Sequence, residues 1–276
     1  MKRNHIVLGV YSILVLVLLA IFNPVGILAI PNVTGAEYLF SIPFNEMSLF
    51  GFDFIFIKPS SSVLVYLLGV ITIVVGSLFM KGSLARKHWG IALMLWGIGA
   101  LLAGTSYQGF GYELKCAQYE FCTFTSWWEL SYLYVTGLSI TLMAVSVLMK
   151  MKIDKLKLPL IGFGLYSVLL LIGAVFEVRF LITYEMFLLF FMPYFLVLFV
   201  LNVIGYKKNG EKYHLRLIQI WILLLLINIL YFIYLLLDVG AVLQDNFSIW
   251  FSANDLLHVT LIGWMIYIYM TLKDEV

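Results

Sequence analysis

The sequence predicts an all-α fold: a polytopic bundle of about eight transmembrane helices, with a short β-hairpin in its first outer loop. Of the 276 residues, 63% are hydrophobic and only 12% are charged, which is about half the charged share of a typical soluble domain. The apolar residues also fall in runs of about 18 or more, enough to cross the hydrocarbon layer of a bilayer as a helix. These observations exclude a water-soluble globule.

Eight apolar segments are the predicted spans. Lipid offers no hydrogen-bond partner to backbone N–H and C=O groups, so a spanning chain must form helices or a closed barrel. Continuous apolar runs favour helices, because the strands of a barrel alternate polar and apolar residues. The predicted spans are 6–30, 61–80, 89–107, 128–149, 158–176, 186–206, 217–240 and 255–272. We assign them to a single integral membrane domain, 1–276.

The first span has one feature of a signal peptide, because Lys2 and Arg3 precede its apolar run. The run over 6–30 is longer than the apolar core of a typical signal peptide, and no A-x-A cleavage site follows it. We therefore predict that this helix is retained.

The distribution of Lys and Arg predicts the orientation. All of the 17 basic side chains except Lys58, Lys115 and Arg179 fall at the N-terminus, in alternate loops or near the C-terminus. By the positive-inside rule, the chain is a multi-pass protein of the cell membrane with both termini cytoplasmic. Most of the 15 acidic residues fall on the outer side, where they either form a site or solvate loops.

The first outer loop, 31–60, is apolar but lacks a helical pattern. Four phenylalanines alternate with other residues, a period of two that is typical of extended backbone; they are Phe50, Phe52, Phe54 and Phe56. Together with 38–44 and a turn at Asn45 and Glu46, they predict a hairpin that covers the outer face at the membrane interface. A re-entrant segment packed among the helices is the alternative.

Cys116 and Cys122 are the only cysteines, and both fall in the outer loop between the third and fourth spans. Their close spacing favours a disulfide in an oxidising compartment. Free thiols or soft-metal ligands are the alternatives, although two sulfurs without a neighbouring histidine are a weak metal signal. We predict no metal site.

Ionisable side chains inside or near the spans are candidate catalytic groups, because burying them in a membrane is costly. The candidates are Glu113, Glu129, Asp255 and His258. On a helix, Asp255 and His258 are neighbours, so the carboxylate could orient the imidazole as a general base. The alternative is that Asn254 or Asp255 caps the N-terminus of the last helix.

Polar stripes on three predicted helices point toward one outer-half region. The fourth span carries Glu129, Tyr132, Thr136 and Ser139; the seventh carries Asn228, Tyr231 and Asp238; the third carries Gly97, Ala100, Gly104 and Gln108. From these stripes and the last helix we select four candidate ligand-binding residues, namely Gln108, Tyr132, Asp238 and Asn254. Hydrogen bonding between helices is the competing explanation of the stripes.

Four motif blocks lie around these residues: Gly-Thr-Ser-Tyr-Gln at 104–108, Gly-Tyr-Glu-Leu-Lys-Cys at 111–116, Thr-Ser-Trp-Trp-Glu at 125–129 and Asn-Asp-Leu-Leu-His at 254–258. In these blocks and in its span layout, the sequence resembles an uncharacterised family of bacterial multi-spanning membrane proteins. The resemblance implies no activity and no cofactor.

The seven-span zinc hydrolases of the alkaline-ceramidase and progestin-receptor-like superfamily are a useful contrast. The zinc sites of that superfamily have three histidines together with Asp and Ser. Two of these histidines form an H-x-x-x-H pair on the last helix. Here residue 254 is Asn, and His258 is the only histidine predicted on the outer side. The sequence therefore excludes a three-histidine zinc site.

Two hypotheses follow. The first is an outward-facing carboxylate and histidine site that binds or acts on a lipid-derived or small amphipathic ligand, with the bilayer as the other partner. The second is a transporter, or a structural or assembly protein of the membrane, without catalysis. The sequence indicates no nucleic-acid-binding module, cofactor or oligomeric state.

Overall fold

The computed structural model describes residues 2–22, 30, 33–40, 42–153 and 155–275, with side chains from residue 7 onward. These residues form eleven α-helices, one 3₁₀ turn (Arg179–Ile182) and one two-stranded sheet. The helices are α1 (Lys2–Ile21), α2 (Gly35–Phe40), α3 (Pro59–Leu78), α4 (Leu84–Tyr107), α5 (Gly111–Lys115), α6 (Trp127–Lys150), α7 (Lys157–Val175), α8 (Tyr184–Asn209), α9 (Lys212–Leu236), α10 (Val239–Phe247) and α11 (Ala253–Leu272). The strands are β1 (Phe44–Leu49) and β2 (Phe52–Ile57).

The predicted all-α bundle is confirmed. Helices α3, α4, α6, α7, α8, α9 and α11 are long and apolar enough to cross a membrane, and α1 contains a shorter apolar stretch, Val7–Ile21. The first predicted span, 6–30, is longer than the helix observed there, which ends at Ile21, and 23–29 lie outside the described residues. The seventh predicted span also overran, because α9 ends at Leu236 and Asp238 adopts a left-handed conformation.

Helix α6 lies at the centre of the bundle and packs against α1, α4, α7 and α8. Nearly all of it is buried, which explains why its sequence mixes apolar residues with Ser and Thr. The Ser139 hydroxyl donates to the Ala92 carbonyl of α4 at 2.7 Å, and Ser146 donates to Ala85 at 2.6 Å. The polar stripe of this helix therefore faces the interior, where part of it joins two helices. The stripe of the seventh span differs, because Asn228 is exposed and bonds within its own helix.

Helices α3 and α4 approach each other closely through pairs of glycines. A Cβ atom built on Gly97 would lie 2.6 Å from the backbone oxygen of Gly69, and one built on Gly90 would lie 2.7 Å from that of Gly76. The two contacts are separated by about two helical turns along each helix. This repeated contact brings the two backbones together without intervening side chains, as the small-residue stripe of the third span predicts.

The β-hairpin is confirmed, but its predicted turn is wrong. Strands β1 and β2 pair antiparallel with Leu49 opposite Phe52, so that Asn45 and Glu46 lie within β1. The turn is at Phe50 and Gly51, which have φ angles of 53° and 81°. Hairpins with two linking residues favour positive φ at both, and glycine adopts it without steric cost. The side of the bundle that carries the hairpin, α2 and α5 is called the hairpin side below.

Candidate functional site

A buried ion pair lies on the hairpin side, at the start of α6. The Lys115 ammonium donates to Glu129 Oε1 at 2.8 Å, and the two side chains are only 10% and 4% exposed. The Ser106 hydroxyl donates to the same oxygen at 3.0 Å and is 2.7 Å from the Ser126 hydroxyl. Ser126 is the N-cap of α6, so the sequence places Glu129 in the first turn, where the helix dipole favours an acid.

The surroundings of the pair are poorly solvated. Lys115 Nζ lies 5.4 Å from the centre of the Tyr107 ring. Burial lowers the pKa of Lys58, and the charge of Lys115 lowers it further. Burial also raises the pKa of Tyr38, an effect that the charge of Lys115 opposes. The attraction within the ion pair is therefore screened less than it would be in water.

A disulfide holds the backbone that carries Lys115. The sulfur atoms of Cys116 and Cys122 lie 2.07 Å apart, which is the length of a bond between them. Thr123 N donates to the Lys115 carbonyl at 2.8 Å, and Cys122 N donates to the Val33 carbonyl at 2.8 Å. The closed loop is thus tied both to α5, at Lys115, and to the segment before α2.

Replacing both cysteines by serine should lower the free energy of unfolding by about 2 kcal/mol, the chain-entropy value for so short a loop. The measurement is the thermal unfolding of the detergent-solubilised protein, followed by tryptophan fluorescence. A reductant should lower the unfolding temperature of the wild type and leave that of the double variant unchanged. Equal unfolding temperatures for the oxidised wild type and the double variant would show that the disulfide does not stabilise the loop.

A pocket of about 250 Å³ opens beside the ion pair, between the disulfide loop and the start of α6. Its lining consists of Glu113, Leu114, Gln118, Tyr119, Ser126, Trp127 and Trp128. Three aromatic side chains and one leucine share this lining with three polar side chains, so the pocket presents apolar and polar surface in similar measure. Ser126 belongs both to this lining and to the hydrogen-bond chain that ends at Glu129, so this one side chain connects the pocket with the buried pair.

Glu113 joins the pocket to the hairpin. Its Oε1 accepts a hydrogen bond from the backbone N–H of Ile55 in β2 at 2.8 Å. Phe54, beside Ile55, and Phe110, three residues before Glu113, pack with their ring centres 5.3 Å apart. The hairpin is therefore fixed at the rim of the pocket rather than packed among the helices as a re-entrant segment.

Asp255 lies in a second, separate cluster between α3 and α11. Its Oδ1 accepts from the Ser61 hydroxyl at 2.9 Å, and its Oδ2 accepts from the backbone N–H of Ser252. Ser252 is the N-cap of α11, and its side chain accepts in return from Asp255 N, which completes a capping box. Asn254 lies half-buried in the first turn. The capping role expected of Asn254 or Asp255 thus belongs to Ser252 and Asp255 together.

His258 is only 7% exposed and interacts with the backbone of Ser61. Within the part of the chain that the structure describes, its Nδ1 atom has no hydrogen-bond partner. Both oxygens of Asp255 bond to Ser61 and Ser252, so the carboxylate is oriented by those groups. The histidine and the aspartate share a cluster in which the aspartate caps the N-terminus of α11.

The four candidate ligand-binding residues are dispersed. Gln108 is buried at the end of α4, and its Oε1 has no partner among the described side chains and backbone. Tyr132 packs edge-on against Tyr107, with ring centres 6.1 Å apart. Asp238 is exposed at the start of α10. Of the eight candidates, Glu113 and Glu129 adjoin the pocket, whereas Asp255 and His258 form their own cluster.

Three polar residues around Glu129 were not among the candidates: Lys115, Ser106 and Ser126. Lys115 was recognisable as one of only three basic residues on the acidic side, and such a residue near a membrane needs a partner. The serines carry no signal in the sequence beyond the capping preference of Ser126. Among the described residues, no group of three His, Cys, Asp or Glu side chains could hold a metal ion.

A second buried polar pair, away from the pocket, was also missed. His214 Nδ1 and Asn202 Oδ1 lie 3.0 Å apart between α8 and α9, and both residues are buried. Gly205 leaves room for the imidazole, since a Cβ atom there would lie 2.7 Å from the ring.

Comparison with protein families, curated proteins and solved structures finds no match to the chain.

Proposed function

We propose that the pocket beside the Lys115–Glu129 pair binds, or acts on, a lipid-derived or small amphipathic ligand. The observation that carries the proposal is the lining of this pocket, in which Trp127 and Trp128 stand beside Glu113 and Ser126. An apolar tail and a polar headgroup both find matching surfaces in such a lining. Tryptophan is also enriched at the headgroup level of membranes, where amphipathic molecules concentrate.

The proposed site faces outward from the cell membrane, with both chain termini cytoplasmic. The positive-inside rule supports this orientation, because Lys58, Lys115 and Arg179 are the only basic residues assigned to the hairpin side. The disulfide at Cys116 and Cys122 agrees with it, because disulfides persist in oxidising compartments.

Any chemistry at the site would use the chain of hydroxyls below the pocket. Ser126 contacts Ser106, which donates to Glu129, so a proton could pass from a hydroxyl at the pocket wall toward the carboxylate. The Lys115 ammonium is paired with the same carboxylate oxygen at 2.8 Å. Asp255 and His258 are proposed to hold α11 against α3 rather than to contact the ligand.

The alternative function is that of a structural or assembly protein without catalysis. It is favoured by the bonds that Ser139 and Ser146 make to α4, because they account for part of the polar stripe of α6 as contacts between helices. This alternative gives the pocket no ligand, so a direct binding experiment separates the two functions.

The test is photolabelling with a dodecyl maltoside that carries a diazirine, followed by mass spectrometry of the labelled peptides. We expect labelling of the segment 113–128, and competition by the unlabelled amphiphile. Leu114→Trp should reduce that labelling about tenfold, because the larger side chain fills the pocket, a loss of about 1.4 kcal/mol of binding. The matched control is Leu189→Trp, at an exposed position of α8.

Labelling confined to the exposed apolar faces of α8 and α9, with none in 113–128, would contradict the proposal. So would equal labelling of 113–128 in the wild type and the Leu114→Trp variant. Either result would leave the structural alternative in place.

A further inference from the structure

We infer that the headgroup recognised by this pocket is a positively charged ammonium group. The inference rests on the proposed function and specifies the chemical class of its ligand. It is drawn from the charge of the lining, the arrangement of the aromatic rings and the positions of the protein's own cations.

Among the described residues that line the pocket, one is acidic and none is basic. Glu113 is its only ionisable acid or base apart from the phenol of Tyr119. The nearest base in the sequence, Lys115, is paired with Glu129 and lies over Tyr107, so it does not neutralise Glu113. An anionic headgroup would meet the Glu113 carboxylate without a compensating cation, whereas a cationic one would pair with it.

The aromatic side chains form walls suited to a cation. The rings of Trp127 and Trp128 pack edge to face, with their centres 5.4 Å apart and 76° between their planes, so the two indoles form one contiguous part of the lining. Trp127 Nε1 donates to the Leu16 carbonyl of α1, so this polar group of the indole is already bonded. Aromatic faces attract ammonium groups through their quadrupole, and clusters of such rings recognise quaternary amines.

Among the described residues, no Lys or Arg side chain lies over the rings of this lining. Within the described residues, five Lys or Arg side chains lie over aromatic rings, and those rings belong to Phe79, Tyr107, Phe124, Tyr213 and Tyr269. Tyr119, Trp127 and Trp128 are not among these partners, although they adjoin a carboxylate. The protein thus uses this kind of contact repeatedly, and a cationic ligand would make the same contact with the rings of this lining.

The experiment uses two photoreactive dodecyl probes whose end groups differ in one atom. One ends in a trimethylammonium group, and the other ends in its uncharged carbon isostere, a tert-butyl group. Labelling of 113–128 is measured on the protein in nanodiscs made of lipids without an ammonium group, at increasing concentrations of each probe. We expect the ammonium probe to label this segment at about a tenfold lower concentration than the isostere.

Glu113→Gln removes the charge and keeps an amide oxygen that can still accept from Ile55 N, so the hairpin contact is preserved. We expect this variant to lose most of the preference for the ammonium probe while still binding both probes. The matched control is Glu120→Gln, which removes a carboxylate from the same loop but not from the lining. Its preference should equal that of the wild type.

Equal labelling by the two probes would overturn the ammonium assignment and leave the amphipathic ligand in place. Labelling of 113–128 by neither of them would overturn the proposed function as well. A preference that survives in Glu113→Gln would also contradict the assignment, because the carboxylate would then not be its cause. Competition by free choline would identify a soluble amine as the ligand, and competition by the ammonium amphiphile alone would identify a lipid headgroup.

Discussion

Replacing Gly97 with valine should prevent α3 and α4 from packing and unfold this part of the bundle. Any Cβ atom at Gly97 lies 2.6 Å from the Gly69 backbone oxygen and 2.9 Å from the Ile73 backbone nitrogen. Backbone atoms cannot move aside as a flexible side chain can, so the helices must separate. We expect a loss of about 3 kcal/mol or more of unfolding free energy, measured by denaturant unfolding in detergent and by the yield of folded protein.

The matched control for this substitution is Gly164→Val in α7. A Cβ atom at Gly164 meets nothing within 4 Å, so the same chemical change has no steric cost there. Similar losses in the two variants would mean that valine acts through helix propensity or membrane insertion rather than through the contact between α3 and α4.

Replacing Lys115 with methionine should destabilise the protein by about 3–5 kcal/mol. The variant leaves the Glu129 carboxylate buried with only the Ser106 hydroxyl as a donor among the contacts described. Glu129→Gln should also destabilise the protein, because it leaves the Lys115 ammonium group buried without a negatively charged partner. Unfolding free energies are measured for each variant by denaturant titration.

The double variant, with methionine at Lys115 and glutamine at Glu129, tests whether the two charges stabilise each other. Since neither charge is then stranded, its loss should be smaller than the sum of the single losses by more than 1 kcal/mol. The control is Glu185→Gln, an exposed acid in α8, which should change stability by less than about 0.5 kcal/mol. Strictly additive losses would show that the pair contributes no mutual stabilisation.

Most of the fold follows from the sequence because membrane insertion depends on local quantities. The length and hydropathy of each segment predict its helix, and the small residues near Gly97 predict a close approach to another helix. The predicted turn at Asn45 and Glu46 was wrong because Phe50, the first of the alternating phenylalanines, lies in the turn and not in a strand. The signal for the turn was the glycine at position 51.

The candidate site was predicted less well because it depends on which helices are neighbours. Glu129 was identified, but its partner Lys115 lies in a different helix and is close only because the disulfide loop folds back. Asp255 and His258 share a helix face, as their spacing predicts, yet Ser61 of α3 takes one oxygen of the carboxylate. Periodicity within a helix cannot predict such contacts.

The central position of α6 has a consequence for how the protein is made. α6 enters the membrane before α7 and α8 have been synthesised, so part of its surface first meets lipid. The acceptors of its Ser139 and Ser146 hydroxyls lie in α4, which precedes α6 in the chain. Because α4 is synthesised first, the acceptors of these polar groups exist before the groups themselves.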